Sequence, residues 1–310
     1  MARAGLPERS PVLEPGPVIV REAAPPAVAV GVQSAARRIG RALPRILESR
    51  VGTLGLAIVA FWVAVAILAP VLSPHSPTAL VGRLAEPPSA RHWLGTDEIG
   101  RDVASRVVWG SRTILLLAPT AVAAALVVGG LMGLVAGYRG GLVDELIMRT
   151  SDIILAFPVL LLYMIIIAAV GPSALNIIFA VTFASSPAIA RIMRSVVLEV
   201  RSREFVAAAR LRGESAWYIM LVEILPNAKA PLIVDACLRV GYVTFTIGTL
   251  GFLGLGIPPP TPDWGGMVNA ARNWIIIAPW MAAFPALAIS SLVVGLNLFA
   301  DGLREISLKD

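Results

Sequence analysis

Apolar positions along the chain gather into runs of about 20 residues, the length that crosses roughly 30 Å of hydrocarbon at 1.5 Å per helical residue. Five runs are clear, at approximately 51–72, 113–137, 153–171, 174–194 and 279–300, and a sixth at 231–256 is interrupted by Asp235 and Arg239. The pattern predicts an all-α, polytopic membrane protein with six transmembrane helices and both termini on one side. Ahead of the first run, residues 1–36 are rich in Pro, Ala and Val, with prolines too frequent for a helix and no period that supports a strand. The expected division is a disordered tail at 1–44 with a basic end, a first helix and loop at 45–110, a transmembrane core at 111–301 and a short tail at 302–310.

Within the runs, Gly129, Gly133 and Gly137 repeat every four residues and stack on one helical face, where a second helix can approach closely. Pro119, Pro187 and Pro285 fall inside predicted spans, where neighbours or water must satisfy the backbone groups they free. Asp235 and Arg239 are spaced i,i+4 and can pair along one face. Intramembrane charges mark either a functional interior or a pair that merely hides two charges, and the spacing leaves both open.

The stretch EFVAAARLRGESAWYIMLVEILPN, residues 204–227, departs from the pattern. Strong helix formers run from Glu204 to Arg212, Gly213 supplies a residue that can end a helix in the left-handed conformation, and a second helix follows. In it Trp217, Met220, Leu221 and Ile224 fall at i, i+3, i+4 and i+7, one apolar face, and Pro226 is expected to close it. An exposed helical hairpin of this kind, spanning 199–227, suits docking into a partner's groove.

Composition sharpens the picture: 57% of the 310 residues are hydrophobic and only 15% charged, against about 25% charged in soluble proteins. The formal charge of +6 points to topology rather than to nucleic acid, because nineteen Lys and Arg lie on the side of the termini and the 199–227 segment and six on the other. The positive-inside rule then places both termini and the hairpin in the cytoplasm and the 73–112 loop outside. The first long apolar run begins only at Val51, too late for a signal peptide, so the first span is expected to be retained. A single cysteine, Cys237, excludes an intramolecular disulfide and any cysteine-cluster metal site. His75 and His92 stand 17 apart without ligand spacing, and no metal site is expected. The Asp97, Glu98, Asp102, Arg101 and Arg106 charges read by default as a solvated surface, or alternatively as an ordered cap held by ion pairs.

The hairpin resembles the cytoplasmic "EAA" loop in permease subunits of binding-protein-dependent ABC importers. Ala207-Ala208-Ala209, Gly213 and Leu225-Pro226 stand at that family's spacing, with Ala207 in the glutamate slot and Glu223 in the isoleucine slot. Glu204-Phe205-Val206 with Arg210 is similar to the form found in the dipeptide, oligopeptide and nickel subfamily, specifically the second of its two permease subunits. HWLGTDEIGRDVASRVVWGSR, GYRGGLVDELIMRTSDIILAFP and FLGLGIPPPTPDWGGMV extend the likeness from about residue 45 to the C terminus.

The resemblance implies a type I ABC importer transmembrane fold. It also implies a coupling helix at Glu204, Ala208, Ala209, Arg210 and Gly213, with Leu225 and Pro226 bracing it. Implied partners are a homologous second permease, two cytoplasmic ABC ATPase subunits or one fused ATPase, an extracytoplasmic solute-binding protein, and a peptide solute; nickel, metal chelates or glutathione are alternatives. ATP and Mg would be bound by the ATPase subunits and no cofactor by this chain, which has no G-x-x-x-x-G-K-[ST] sequence. An ion-gradient-driven secondary transporter is a more distant reading, with only Asp235 and Arg239 as intramembrane ionisable residues to serve it. An intramembrane enzyme lacks H-E-x-x-H and any His/Ser or paired-carboxylate constellation within a span.

Overall fold

The computed structural model describes residues 49–307, so the tail expected at 1–44 lies outside the described residues. Within them the regular structure is helical; extended backbone pairs only as two isolated bridges, Leu80 with Arg101 and Thr96 with Asp102. The principal helices are α1 (Arg50–Ile67), α2 (Val103–Arg139), α3 (Gly141–Leu155), α4 (Val159–Val170), α5 (Ala174–Val200), α6 (Glu204–Leu211), α7 (Leu225–Phe252), α8 (Trp264–Ala271) and α9 (Trp280–Ser307).

Four of these, α1, α2, α5 and α9, are each long and apolar enough to cross a membrane, and the pair α3 and α4, bent by 90°, makes up to five. The run predicted as one span at 153–171 is therefore two pieces. α3 ends at Leu155, and α4 begins only after Phe157-Pro158, because proline disfavours the helical region for the residue before it. Gly171, at φ +89, stops α4 after twelve residues, about 18 Å of rise. The predicted span at 113–137 starts ten residues early, at Val103 under an Asp102 cap, so α2 runs straight through the division drawn at residue 110. At the other end α9 continues as helix to Ser307, through most of what reads as a tail.

Two seams hold the bundle. α2 packs against α5 along Gly129, Gly133 and Gly137: an added Cβ would come 2.4 Å from Ser186 O, 2.3 Å from Ala190 O and 2.8 Å from Val197 Cβ, respectively. The backbones touch where side chains would stand, which maximises dispersion contact between helices that gain nothing from hydrophobic exclusion in lipid. α1 packs against α9 in the same way, with Gly55 against the backbone of Phe299 and Gly302 against Gly52. Ser49 joins the ends of this second pair, its hydroxyl donating to Glu305 at 2.8 Å. Trp62 of α1 and Trp264 of α8 meet edge to face at 4.9 Å in the main core; their indole N–H groups donate to Ser291 Oγ at 3.0 Å and Val107 O at 2.9 Å.

Candidate functional site

The hairpin forms at the C-terminal end of α2. α6 ends in a Schellman motif: Gly213, at φ +77, donates its N–H to Arg210 O, and Glu214 donates to Ala209 O. Ser215 then caps the return, accepting from Tyr218 N–H at 3.2 Å. Pro226 does not close this second helix. It sits in the first turn of α7, where its missing N–H is not required, and the chain from Ala216 runs on into α7. The join is a π-helical segment, Ile219–Ile224, in which Leu225 N–H bonds back to Met220 O and the Asn227 amide covers Glu223 O at 2.7 Å.

The wider turn disrupts the expected apolar face. Met220 and Ile224 are buried together with Ile219, while Trp217 and Leu221 are 52% and 42% exposed. The buried set, with Val206 and Ala209, packs on Leu134, Met193, Val197 and Val200 at the ends of α2 and α5. Glu204, Ala208, Arg210, Gly213 and Pro226 are exposed and Leu225 is half-buried. Arg210 stacks over the Tyr138 ring at 5.4 Å, and Arg201 donates to Gly137 O at 2.7 Å, so two arginines fasten the hairpin to the end of α2. Glu223, in the slot where the family pattern has isoleucine, pairs with Arg212 across the hairpin at 3.1 Å. Neither this brace nor Leu211, 90% exposed at the hairpin tip, had a signal in the periodicity.

Asp235 and Arg239 form an ion pair on α7, each about one-fifth exposed. The i,i+4 geometry lets the charges compensate each other along one helix face.

At the N-terminal end of α2 the mixed charges form an ordered, buried cap, not the solvated surface that is the default for such a mixture. Asp97 accepts from Arg101 N–H at 2.9 Å and Arg101 Nε at 2.6 Å, with Arg106 Nε at 3.5 Å; all three residues are buried. Beside them is a cavity of about 300 Å³ lined by Asp97, Glu98, Arg101, Arg106 and Asp263 among others. Asp263 caps α8, accepting from Gly266 N–H at 3.0 Å, and its carboxylate is wedged against Gly251 and Gly256, where a Cβ would come within 2.4 Å of Oδ2. Burial pushes its pKa up to about 6, against the opposing pull of the Gly266 and Gly265 N–H groups and Arg106.

Between pH 4 and 6 the folded protein thus holds a proton that the unfolded chain has released. Stability falls as pH rises through that window, by about 3 kcal/mol, and the loss is complete above pH 6. Thermal unfolding of detergent-solubilised protein from pH 4 to 7 should show this slope, and Asp263→Asn should flatten it. An unchanged slope in the variant assigns the effect to other groups.

In the same region His75 and His92, remote in sequence, converge on Asp102, the cap of α2. Their spacing of 17 carries no such signal, because the loop between them folds back to bring them together.

A bundle of long apolar helices with glycine-tight seams, an ordered polar cap at one end of α2 and a helical hairpin at the other, is the architecture of a multi-pass membrane protein. The chain belongs to the family of binding-protein-dependent transport system inner membrane components, which residues 129–309 match. Residues 38–88 match the N-terminal TM domain of oligopeptide transport permease C. The chain is 41% identical over 266 residues to the dipeptide transport system permease protein DppC of Alkalihalophilus pseudofirmus, covering 85% of this chain and 87% of that protein. It is 43% identical to the probable D,D-dipeptide transport system permease protein DdpC of Escherichia coli, over 77% of this chain and 81% of that one. With the glutathione transport system permease protein GsiD of Pectobacterium atrosepticum the identity is 38%, over 84% and 87%.

Proposed function

We propose that this permease imports dipeptides or short oligopeptides across the bacterial inner membrane, driven by ATP hydrolysed on separate subunits. The carrying observation is the two-sidedness of the hairpin. Val206, Ala209, Met220 and Ile224 are fused to the bundle, while Glu204, Ala208, Leu211 and Trp217 face outward. A segment buried on one side and exposed, partly apolar, on the other suits docking on a protein partner. On this reading Glu204, Ala208 and Gly213 meet the ATPase, and Ala209, Arg210, Leu225 and Pro226 hold the hairpin to the spans. The partners are a second homologous permease, two ATPase subunits or one fused ATPase that bind ATP and Mg, and an extracytoplasmic solute-binding protein.

Peptide as solute is supported by the names of the dipeptide permeases among the relatives; glutathione is the second reading, supported by the glutathione permease. Six spans follow if α7 and the α3–α4 pair each cross. The asymmetry of Lys and Arg supports a topology with the termini and the hairpin in the cytoplasm. An impermeant thiol reagent on intact cells should then modify Ser76→Cys and spare Ser307→Cys in a Cys237→Ala background; the reverse pattern inverts the topology. Uptake of labelled dipeptide, glutathione and nickel in cells carrying or lacking the chain tests the solute. Uptake should stop on ATP depletion and survive an ionophore. Collapse with the ion gradient alone would instead identify a secondary transporter.

A further inference from the structure

We propose that His75, His92 and Asp102 form a binding site for a divalent transition-metal cation of the zinc class, tying the 73–102 loop to the first turn of α2. Asp102 Oδ1 lies 3.0 Å from His92 Nδ1 and 3.9 Å from His75 Nδ1, and the ligand atoms of the three residues all lie within 4.8 Å of one another. Two nitrogens and one carboxylate oxygen are a donor set for zinc rather than for magnesium or calcium, which take oxygen ligands throughout. Ligands held at about 2.0–2.2 Å from a tetrahedral ion stand roughly 3.4 Å apart. Closing the widest pair, at up to 4.8 Å, around an ion therefore needs a shift of roughly 1.4 Å at most, which His75, on the loop with its ring 27% exposed, can supply.

The surroundings orient these donors. Asp102 is fully buried, and its Oδ2 is taken by the Ser105 N–H at 2.8 Å and hydroxyl at 2.7 Å, leaving Oδ1 to face both imidazoles. Ser105 Oγ in turn accepts the backbone N–H of His75 at 3.1 Å, so one serine positions two of the three ligands. Two buried ring nitrogens, His75 Nδ1 and His92 Nε2, have no hydrogen-bond partner, although a buried polar atom without one is costly. A cation would use the first directly. It would also settle the second: with the Nδ1 lone pair of His92 on the ion, the proton sits on Nε2, 3.9 Å from Glu86 Oε2, an arrangement in which an outer carboxylate supports a metal-bound histidine. The rival arrangement is a doubly protonated His92 between Asp102 and Glu86, which binds no metal.

Full-length protein in lipid nanodiscs, stripped with chelator, would be titrated with Zn²⁺ by calorimetry and with Co²⁺ by visible absorption. One equivalent should bind at micromolar concentration or below, with the intense d–d bands of low-coordinate Co²⁺. His75→Ala should weaken binding at least tenfold while changing the unfolding temperature of the metal-free protein little, since His75 Nδ1 has no hydrogen-bond partner and the ring loses only its contact with His92 at 5.3 Å. Absence of a stoichiometric site overturns the proposal in favour of the protonated histidine, and so does stoichiometric binding that His75→Ala leaves intact.

Discussion

Gly213→Val is expected to reduce solute uptake more than tenfold while the protein still reaches the membrane in near-normal amount. At φ +77 a β-branched side chain meets its own backbone, at a cost of about 1–2 kcal/mol or more. Nothing lies within 4 Å of the Cβ it would add, so the strain is purely conformational and confined to the turn. Relief comes by breaking the Schellman bonds to Arg210 and Ala209, which swings α6 relative to the π-helical segment. The surface proposed to meet the ATPase is thereby misplaced, and the spans are left alone. Gly213→Asn separates geometry from chemistry, because asparagine tolerates the left-handed region and should retain most of the uptake. The measurements are peptide uptake and solute-stimulated ATP hydrolysis by the reconstituted complex. Full activity of Gly213→Val in both would show that the hairpin does not carry the coupling.

Gly133→Leu should have the opposite signature, with little folded protein recovered at all. An added Cβ would come 2.3 Å from Ala190 O and 2.7 Å from Met193 Cβ, positions set by the α5 helix itself, so the helices must part. Overpacking in ordinary cores costs about 1–3 kcal/mol, and displacement along a whole helix seam belongs at or above the top of that range. Gly130, three residues back, has nothing within 4 Å of its Cβ position. Gly130→Ala should therefore be neutral or stabilising by about 0.5–1 kcal/mol through helix propensity. Yield and thermal midpoint in detergent distinguish the two, and equal behaviour would mean the α2–α5 contact is not tight in the membrane.

What hydropathy makes legible is the class: apolar runs, the long helices beneath them and the family likeness all follow from one-dimensional pattern. Its failures share a cause, which is that hydropathy says nothing about backbone geometry or about where remote segments meet. Residues 153–171 read as one span because Phe157 and Pro158 bring no charge into the apolar run, yet the path bends by 90° at the proline. Pro226 reads as a stop because proline breaks helices, but it follows the π-helical segment in the first turn of α7, where the helix runs on. The Gly129, Gly133 and Gly137 repeat is visible because its spacing is local. The equivalent seam of Gly55 and Gly302 is invisible because the two are 247 residues apart. Asp97, Arg101 and Arg106 looked like surface charge for the same reason: their burial depends on a loop folding over them.

α2 is 37 residues long, about 55 Å of continuous helix. It carries the Asp102 cap and its histidines at one end, and Gly137, held by Arg201, at the other. Where it moves as one body through Pro119, a displacement at either end is a displacement of the whole. If its position responds to a ligand at one end, thermodynamic reciprocity requires that a ligand at the other end change the first one's affinity by the same factor. On the proposed topology, a binding protein seated on the loop and an ATPase seated on the hairpin would therefore each report the other's occupancy, with no solute in the pathway between them.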